Sequence, residues 1–415
     1  MIRILILLGC YASFWANMPL YGWIMQAAFL VLFLVASFIA FAEKRVLGAA
    51  PSLAEIVLYG AAALSTAVGL IRSDEYTTLY SALFLAALIL ISLVSRAITL
   101  EQLLDIGAGA SLLGVLTCLL VDGHSLLKAL SISVGRTGLF RFSPLNTHPD
   151  LAGLLYGSCS ILMARRAYIA KGAVERGVMI SGVVLAGTYI LAASARASLL
   201  ALAVASVAAV VLEIRPRLAT YMKLAAIGLA AICVTSLVSA SRLVSYLQGI
   251  LELNSKYRGA ATGGSGRTEI WQHGISALFQ DPTRLIFGGG LRSSESSAFG
   301  WASTENSYIS ILLDSGAFVG TAIISVYIYS AIKAWKLSQA SYQSNSQIFL
   351  FAYVVFLLAE SFFNRYLLAI GNAGSLLALM ILISLSIRKV PARELNAATS
   401  RAASECSRAA PKPDA

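Results

Sequence analysis

Charge is scarce in this sequence. Asp, Glu, Lys and Arg make up 12% of its 415 residues, about half the share found in a soluble globular domain. That shortage excludes a soluble enzyme, a disordered polymer and an ordinary nucleic-acid-binding domain, so no nucleic-acid partner is expected. Histidine is scarcer still. His124, His148 and His273 are the only three and stand far apart, so a zinc site is not expected. The five cysteines, Cys10, Cys118, Cys159, Cys233 and Cys406, have no CxxC spacing, and four lie in apolar stretches. They read as small buried hydrophobes rather than disulfides or metal ligands. DxD, Walker and zinc spacings are missing too, and neither a metal nor any other cofactor is expected.

Apolar residues dominate instead, at 58% of the chain with a mean hydropathy of +0.79. Windows of about 17–25 apolar residues are long enough to cross a bilayer. Twelve occur, at 4–20, 22–42, 52–71, 78–95, 100–121, 149–164, 177–194, 197–213, 219–240, 304–332, 346–363 and 367–387. The expected fold is therefore all-α, a polytopic membrane bundle of about twelve transmembrane helices. The run from Ile4 to Trp15 after Arg3 has the make-up of a signal-peptide core and is expected to stay as the first span. Residues 1–121, 149–240 and 304–387 form the membrane regions. Residues 122–148 and 241–303 form two outer segments, and 388–415, rich in Ala, Ser and Arg, reads as a disordered cytoplasmic tail.

The net charge of +11 has a topological use in such a chain. With both termini cytoplasmic, 19 of the 31 Lys and Arg residues fall on the inner side and the short loops obey the positive-inside rule. The other 12 lie outside, and all but Lys128 and Lys256 are arginine. Arginine offers a planar fork of donors matched to phosphate oxygens, so an arginine-rich outer face points to phosphate or pyrophosphate, with compositional drift as the bland alternative.

Arg196 stands between two apolar runs with almost no loop to hold it. It reads as a functional cation or as a snorkelling one. In the long outer segment, Gly263-Gly264-Ser265-Gly266 leads to Arg267. Apolar residues follow at helical spacing, at Ile270, Trp271, Ile275, Leu278 and Phe279, up to Asp281-Pro282. An amphipathic helix is expected there, with Arg267 at its anion-favouring start or with the whole helix lying on the bilayer surface. Arg284 follows, and then Gly288-Gly289-Gly290 before Arg292, where backbone can approach a ligand closely.

Glu305 opens the tenth span after Ser303, a candidate N-cap. It is either a first-turn acid favoured by the helix dipole or a carboxylate placed for general base catalysis. Asn306 and Tyr308 adjoin it. Asp314, deeper in the span, needs an internal partner. The polar stretch Asn146-Thr147-His148-Pro149-Asp150 and the turn Asn364-Arg365-Tyr366 complete the outer set, each explicable singly by capping and turn chemistry.

At these residues the chain resembles the O-antigen ligase and O-antigen polymerase superfamily of polytopic glycosyltransferases. Three segments carry the likeness: Ser194 to Leu200; Arg267 to Trp271 with Asp281-Pro282 and Gly288 to Gly290; and Glu305 to Ile309 with Asp314-Ser315-Gly316 and Gly320. A weaker likeness lies at Asn146 to Ala152. The chain departs from the ligases at Glu305, where they usually carry histidine, and this favours the polymerase branch.

The resemblance implies a GT-C-like bundle in the bacterial inner membrane, with its site facing the periplasm. Its partners would be the bilayer and an undecaprenyl-pyrophosphate-linked oligosaccharide, with a chain-length regulator as a further candidate. It implies metal-independent transfer of the lipid-linked glycan to another repeat unit's hydroxyl, with inversion. Arg196 and Arg267 would stabilise the leaving pyrophosphate and Glu305 would accept the proton. Arg292, Arg365, Arg284, Asn306, Tyr308 and His148 would bind substrate. The alternatives are a ligase placing the glycan on lipid A core or on protein, and an anion-binding transporter.

Overall fold

The computed structural model describes residues 1–18, 22–43, 50–132, 141–214, 267–293, 304–340 and 346–387. Among the described residues every regular element is helical. In chain order these are α1 (Ile2–Ala12), α2 (Gly22–Ala42), α3 (Leu53–Ile71), α4 (Glu75–Ala97), α5 (Leu100–Ile132), α6 (Pro149–Ile169), α7 (Ala173–Ala192), α8 (Arg196–Ile214), α9 (Arg267–Gln280), α10 (Pro282–Phe287), α11 (Ser307–Ala340), α12 (Ser346–Glu360) and α13 (Ala373–Ile387). Short 3-10 turns occur at Ser13–Trp15 and Pro144–Asn146. Helices α2, α3, α4, α5, α7 and α11 are long and apolar enough to cross a membrane, and α1, α8, α12 and α13 are apolar but shorter. The chain is a multi-pass membrane protein.

Local chemistry sets the helix starts. Ser52 and Glu55 form a reciprocal capping box before α3, Asp74 caps α4 through the Thr77 N–H at 3.1 Å, and Pro149 occupies the first turn of α6. Ser303, the expected cap of the tenth span, lies outside the described residues. Asn306 does the capping, its Oδ1 accepting from the backbone of Tyr308 at 2.9 Å and Ile309 at 3.1 Å.

Several expected limits shift. The segment 122–148 does not begin as a loop, because α5 continues to Ile132, where Leu126 and Ala129 are buried at helical spacing. At 33 residues it is about 50 Å long, more than the hydrocarbon core needs. The last span starts as helix only at Ala373, since 361–372 form a turn. The ninth expected span (219–240), the tail, and residues 241–266 and 294–303 of the long outer segment lie outside the described residues.

Helix α6 is the centre of the bundle. It packs against α5, α7, α8, α12 and α13, and most of its side chains are buried. A helix enclosed on all sides accommodates small residues at its close contacts. A Cβ at Gly153 would meet Ser198 and Ala195 of the α7–α8 region, and one at Gly157 would run into the Phe356 ring of α12. By contrast α2 buries one stripe, including Phe29, Phe33, Ala36 and Ala40, and exposes Trp23, Val31 and Phe38, a lipid-facing surface with an aromatic at its start.

The end of the bundle opposite Arg267 is pinned by ion pairs. Arg96 binds Glu55 at 2.8 Å, Arg165 binds Glu101 and, at 2.8 Å, Asp105, and Arg166 binds Glu175 and Asp105. Lys333 donates to the Ser386 carbonyl at 3.2 Å. These cations, read from sequence as loop charges, tie helix ends together, and Arg165 is buried.

Gly157→Val should therefore overpack the α6–α12 contact, at a cost of about 1–3 kcal/mol. A lowered melting temperature in detergent is the expected outcome, and an unchanged one contradicts the close approach.

Candidate active site

Among the described residues, six non-glycine residues have left-handed backbone: Ser73, Leu145, Asn146, Ser194, Arg292 and Glu305. Each conformation costs on the order of 1–3 kcal/mol and persists only where the surroundings impose it. All six sit in turns at one end of the bundle, the end where Arg267 lies.

Four charged side chains form a chain there. Arg141 donates to Asp150 Oδ1 at 2.7 Å, Arg267 approaches Asp150 Oδ2 at 3.4 Å, and Arg267 Nε donates to Glu305 Oε2 at 2.8 Å. Asp150 begins α6, Arg267 begins α9 and Glu305 precedes α11, so three helix starts converge on one guanidinium. Glu305 has φ +44 and lies outside the helix, which removes the first-turn dipole reading and leaves the carboxylate on Arg267. Asp150 and Arg267 are mostly shielded, while the Glu305 side chain is 35% exposed and is the open member of the group.

The turn carrying Arg196 is docked onto this cluster. Ser194 is left-handed, Arg141 Nε donates to the Ala193 carbonyl at 2.9 Å, and Arg196 is the first residue of α8. Two residues on, Ser198 donates to Glu360 Oε1 at 2.8 Å. Asn364 reaches the same oxygen at 3.4 Å and the Asp150 carbonyl at 3.0 Å. Glu360 is fully buried. Glu360 and Asn364 together join the helix of Arg196 to the helix of Asp150.

A cavity of about 130 Å3 lies beside the cluster. Its wall includes Leu151, next to Asp150, and Ser310, one turn after Asn306. Arg292 and Arg365 also line it, with Asp314, Tyr80, Tyr366 and Asn372. The Arg292 guanidinium lies 5.0 Å over the Tyr80 ring, and that of Arg365 lies 5.3 Å over Tyr366. Asp314 has the internal partners its depth demands: the Arg292 backbone N–H at 2.9 Å and the Ser293 hydroxyl at 3.1 Å.

The glycine run packs its backbone against α11. Gly289 and Gly290 donate to the carbonyls of Leu313 and Asp314, at 2.9 and 2.8 Å, where α11 is broken at Gly316 with φ 76. A Cβ at Gly288 would strike that backbone. The close approach is to the α11 backbone.

The remaining expected residues are spread out. Asn306 caps α11. Tyr308 donates to the Leu358 carbonyl at 2.7 Å and packs on Phe362. His148 is exposed and caps α6 through the Asp150 N–H at 3.4 Å. Arg284 lies on α10, whose N-cap Asp281 is held below the ordinary carboxylate range by the Thr283 hydroxyl and the Arg284 backbone N–H. Burial and the nearby Arg72 pull the Arg284 guanidinium below its ordinary value. The amphipathic helix appears as α9, yet only Gly274 and Leu278 are buried on it. Sequence reading treated Asp150 as part of a capping turn and Arg141 as one outer cation among many, and missed that they pair. Arg141 and Asp150 are only nine positions apart, but the segment between them has no helical or strand spacing that would bring them together. Among the described residues no three His, Cys, Asp or Glu side chains converge to hold a metal.

A family model described as O-Antigen ligase matches residues 181–325, about a third of the chain. The matched stretch runs from α7 into α11 and contains Arg196, Arg267, Arg292, Glu305 and Asp314. It supports the O-antigen ligase and polymerase superfamily and an enzyme of glycosyltransferase type. No curated protein matches the chain at a significant level.

If Arg141 and Asp150 are a coupled pair, Arg141→Gln and Asp150→Asn should each lower thermal stability. The double variant should then fall short of additivity by about 0.5–3 kcal/mol. Strict additivity in a thermal-unfolding cycle would show that the contact contributes nothing.

Proposed function

We propose that the chain is a polysaccharide polymerase. It transfers a glycan from undecaprenyl pyrophosphate to a hydroxyl of another lipid-linked repeat unit, at the periplasmic face of the inner membrane. The observation that carries this reading is the Arg267 bridge between Asp150 and Glu305, beside the docked turn of Arg196, with Arg267 and Glu305 inside the stretch matched by the family model.

In this scheme the acceptor oxygen attacks the anomeric carbon. The bond from that carbon to the pyrophosphate oxygen breaks with inversion, and the electron pair leaves on the phosphate. Arg267 engages its carboxylate partners through two of its five N–H donors, leaving others for phosphate oxygens. Arg196, at the start of α8, adds a second cation. Preorganised donors of this kind contribute about 3–4 kcal/mol each when well placed. The acceptor proton goes to Glu305, whose Oε1 is not used by Arg267. Pyrophosphate is a good leaving group, so the scheme needs neither metal nor nucleotide. Asn306, Tyr308 and His148 act through the backbone they fix, and Arg284 stands further off on α10. The description of the matching family favours a second reading, ligation of the glycan to a lipid A core acceptor.

Reconstitution with a single lipid-linked repeat unit tests both. A ladder of longer lipid-linked glycans is expected, with Arg196→Ala and Arg267→Ala each slowing it about 100- to 1000-fold and Glu305→Gln strongly impaired. Transfer only after addition of lipid A core makes the chain a ligase. Full activity of Glu305→Gln removes that residue as the base.

A further inference from the structure

Glu360 stands where a carboxylate is least expected. It is the last residue of α12, where the helix dipole disfavours negative charge, and it is buried. Both of its hydrogen bonds fall on one oxygen: Oε1 accepts from the Ser198 hydroxyl at 2.8 Å and from the Asn364 amide at 3.4 Å. Its Oε2 is buried and has no hydrogen-bond partner among the described residues. A buried oxygen without a donor costs free energy, and an acid kept within a span at such cost points to function. Burial keeps the carboxyl from touching substrate, so its effect passes through the residues it holds.

Those residues lead to three charges of the site. Ser198 lies two residues after Arg196, in the first turn of α8. There α8 is pressed so near α6 that a Cβ at Gly153 would strike the Ser198 hydroxyl. Asn364 carries the link further. Its amide donates to the Asp150 carbonyl at 3.0 Å, and its own carbonyl accepts from the Ser307 hydroxyl. The Ser307 N–H in turn donates to the Ser361 carbonyl at 2.9 Å, so the turn after Glu360 is laced to the residue two beyond Glu305. Apolar contact alone leaves a helix free to rotate about its axis. A directional bond that fixes Ser198 fixes the rotation of the first turn of α8, and with it the direction in which Arg196 leaves the helix.

We infer that Glu360 is a positioning residue for glycosyl transfer: its Oε1, anchored by Asn364 to the Asp150 backbone, holds Ser198 and thereby aims Arg196. It acts as a hydrogen-bond acceptor rather than as a charge, since one oxygen makes both bonds and an amide oxygen could make them too. The inference rests on the transfer reading above and adds to it the residue that orients one of its cations.

The test combines kinetics of the reconstituted full-length chain with hydrogen exchange of the same protein. Glu360→Leu should lower kcat about 10- to 100-fold with little change in KM, because Arg196 acts on the charge that develops on the leaving group. Glu360→Gln, which keeps an acceptor oxygen, should bring kcat back to within about threefold of the wild type. In an Arg196→Ala background, Glu360→Leu should cost no more than about a further threefold, since the residue it aims is gone. A packing role alone would keep its full cost there. Ser198→Ala removes the same bond from the other side and carries the test if Glu360→Leu does not fold. Exchange in the stretch 196–203 should speed up in Glu360→Leu and not in Glu360→Gln. Equal loss of kcat in the Gln and Leu variants overturns the inference, and so does a Glu360→Leu cost undiminished without Arg196. Faster exchange confined to Glu360→Leu, in a protein that transfers no glycan, would uphold the tie to α8 and defeat the transfer reading. An active enzyme with kcat unchanged in both Glu360→Leu and Ser198→Ala would defeat the inference and leave that reading standing.

Discussion

Arg267 reaches two carboxylates from one guanidinium, and the seating of α9 depends on that bridge. The helix buries little apolar surface: only Gly274 and Leu278 are fully covered, with Gly274 set so close to Ile309 and Thr304 that a Cβ there would crowd both. An apolar contact that small stabilises a helix by only a few kcal/mol. The pairing to Asp150 and Glu305 adds direction, which hydrophobic contact lacks. Arg141, Asp150, Arg267 and Glu305 sum to zero formal charge. The turn carrying Arg196 is locked to the same group through the Ala193 carbonyl, which accepts from Arg141 Nε.

The two ends of the bundle solve the problem of ions at a membrane boundary differently. Opposite the site, Arg96, Arg165 and Arg166 pair with acids from neighbouring helices in ordinary helical backbone. At the site end the ion pairs come with all six left-handed non-glycine residues of the described chain. Relaxed pairs at one end fasten the helices. Strained turns at the other are held in place by that fastening, which is how costly side-chain geometry persists.

The helical class was legible in the sequence, and so were the six helices long and apolar enough to cross a membrane, because an apolar run of bilayer length has few alternatives. Arg267, Glu305 and the amphipathic helix were legible because glycine-rich turns, helical periodicity and an out-of-place charge are local signals. The identity of Arg267's partners was not. Asp150 in Pro149-Asp150 looks like any first-turn acid, and its contacts come from residues 9 and 117 positions away. Glu360 lies within the expected span 346–363, but its link through Ser198 and Asn364 arises only when α8 and α12 pack on α6. Three arginines read as one phosphate-facing group separated for the same reason: Arg292 and Arg365 share a cavity wall, while Arg284, on α10, lies near Asp281 and near Arg72 at the end of α3.

The break in α11 shows how a distant glycine orders the site. At Gly316 the φ of 76 interrupts the helix and releases the carbonyls of Leu313 and Asp314 from their usual partners. Within a bilayer such groups must find protein donors. The N–H groups of Gly289 and Gly290 supply them, and the approach is close enough that a Cβ at Gly288 would collide with the α11 backbone. With that segment held against the break, the next residues are carried to the Asp314 carboxylate. Arg292 is thereby turned left-handed, with its guanidinium laid over Tyr80. The glycine run and Gly316 are thus one device: a helix interrupted so that a neighbouring backbone can enter and aim an arginine.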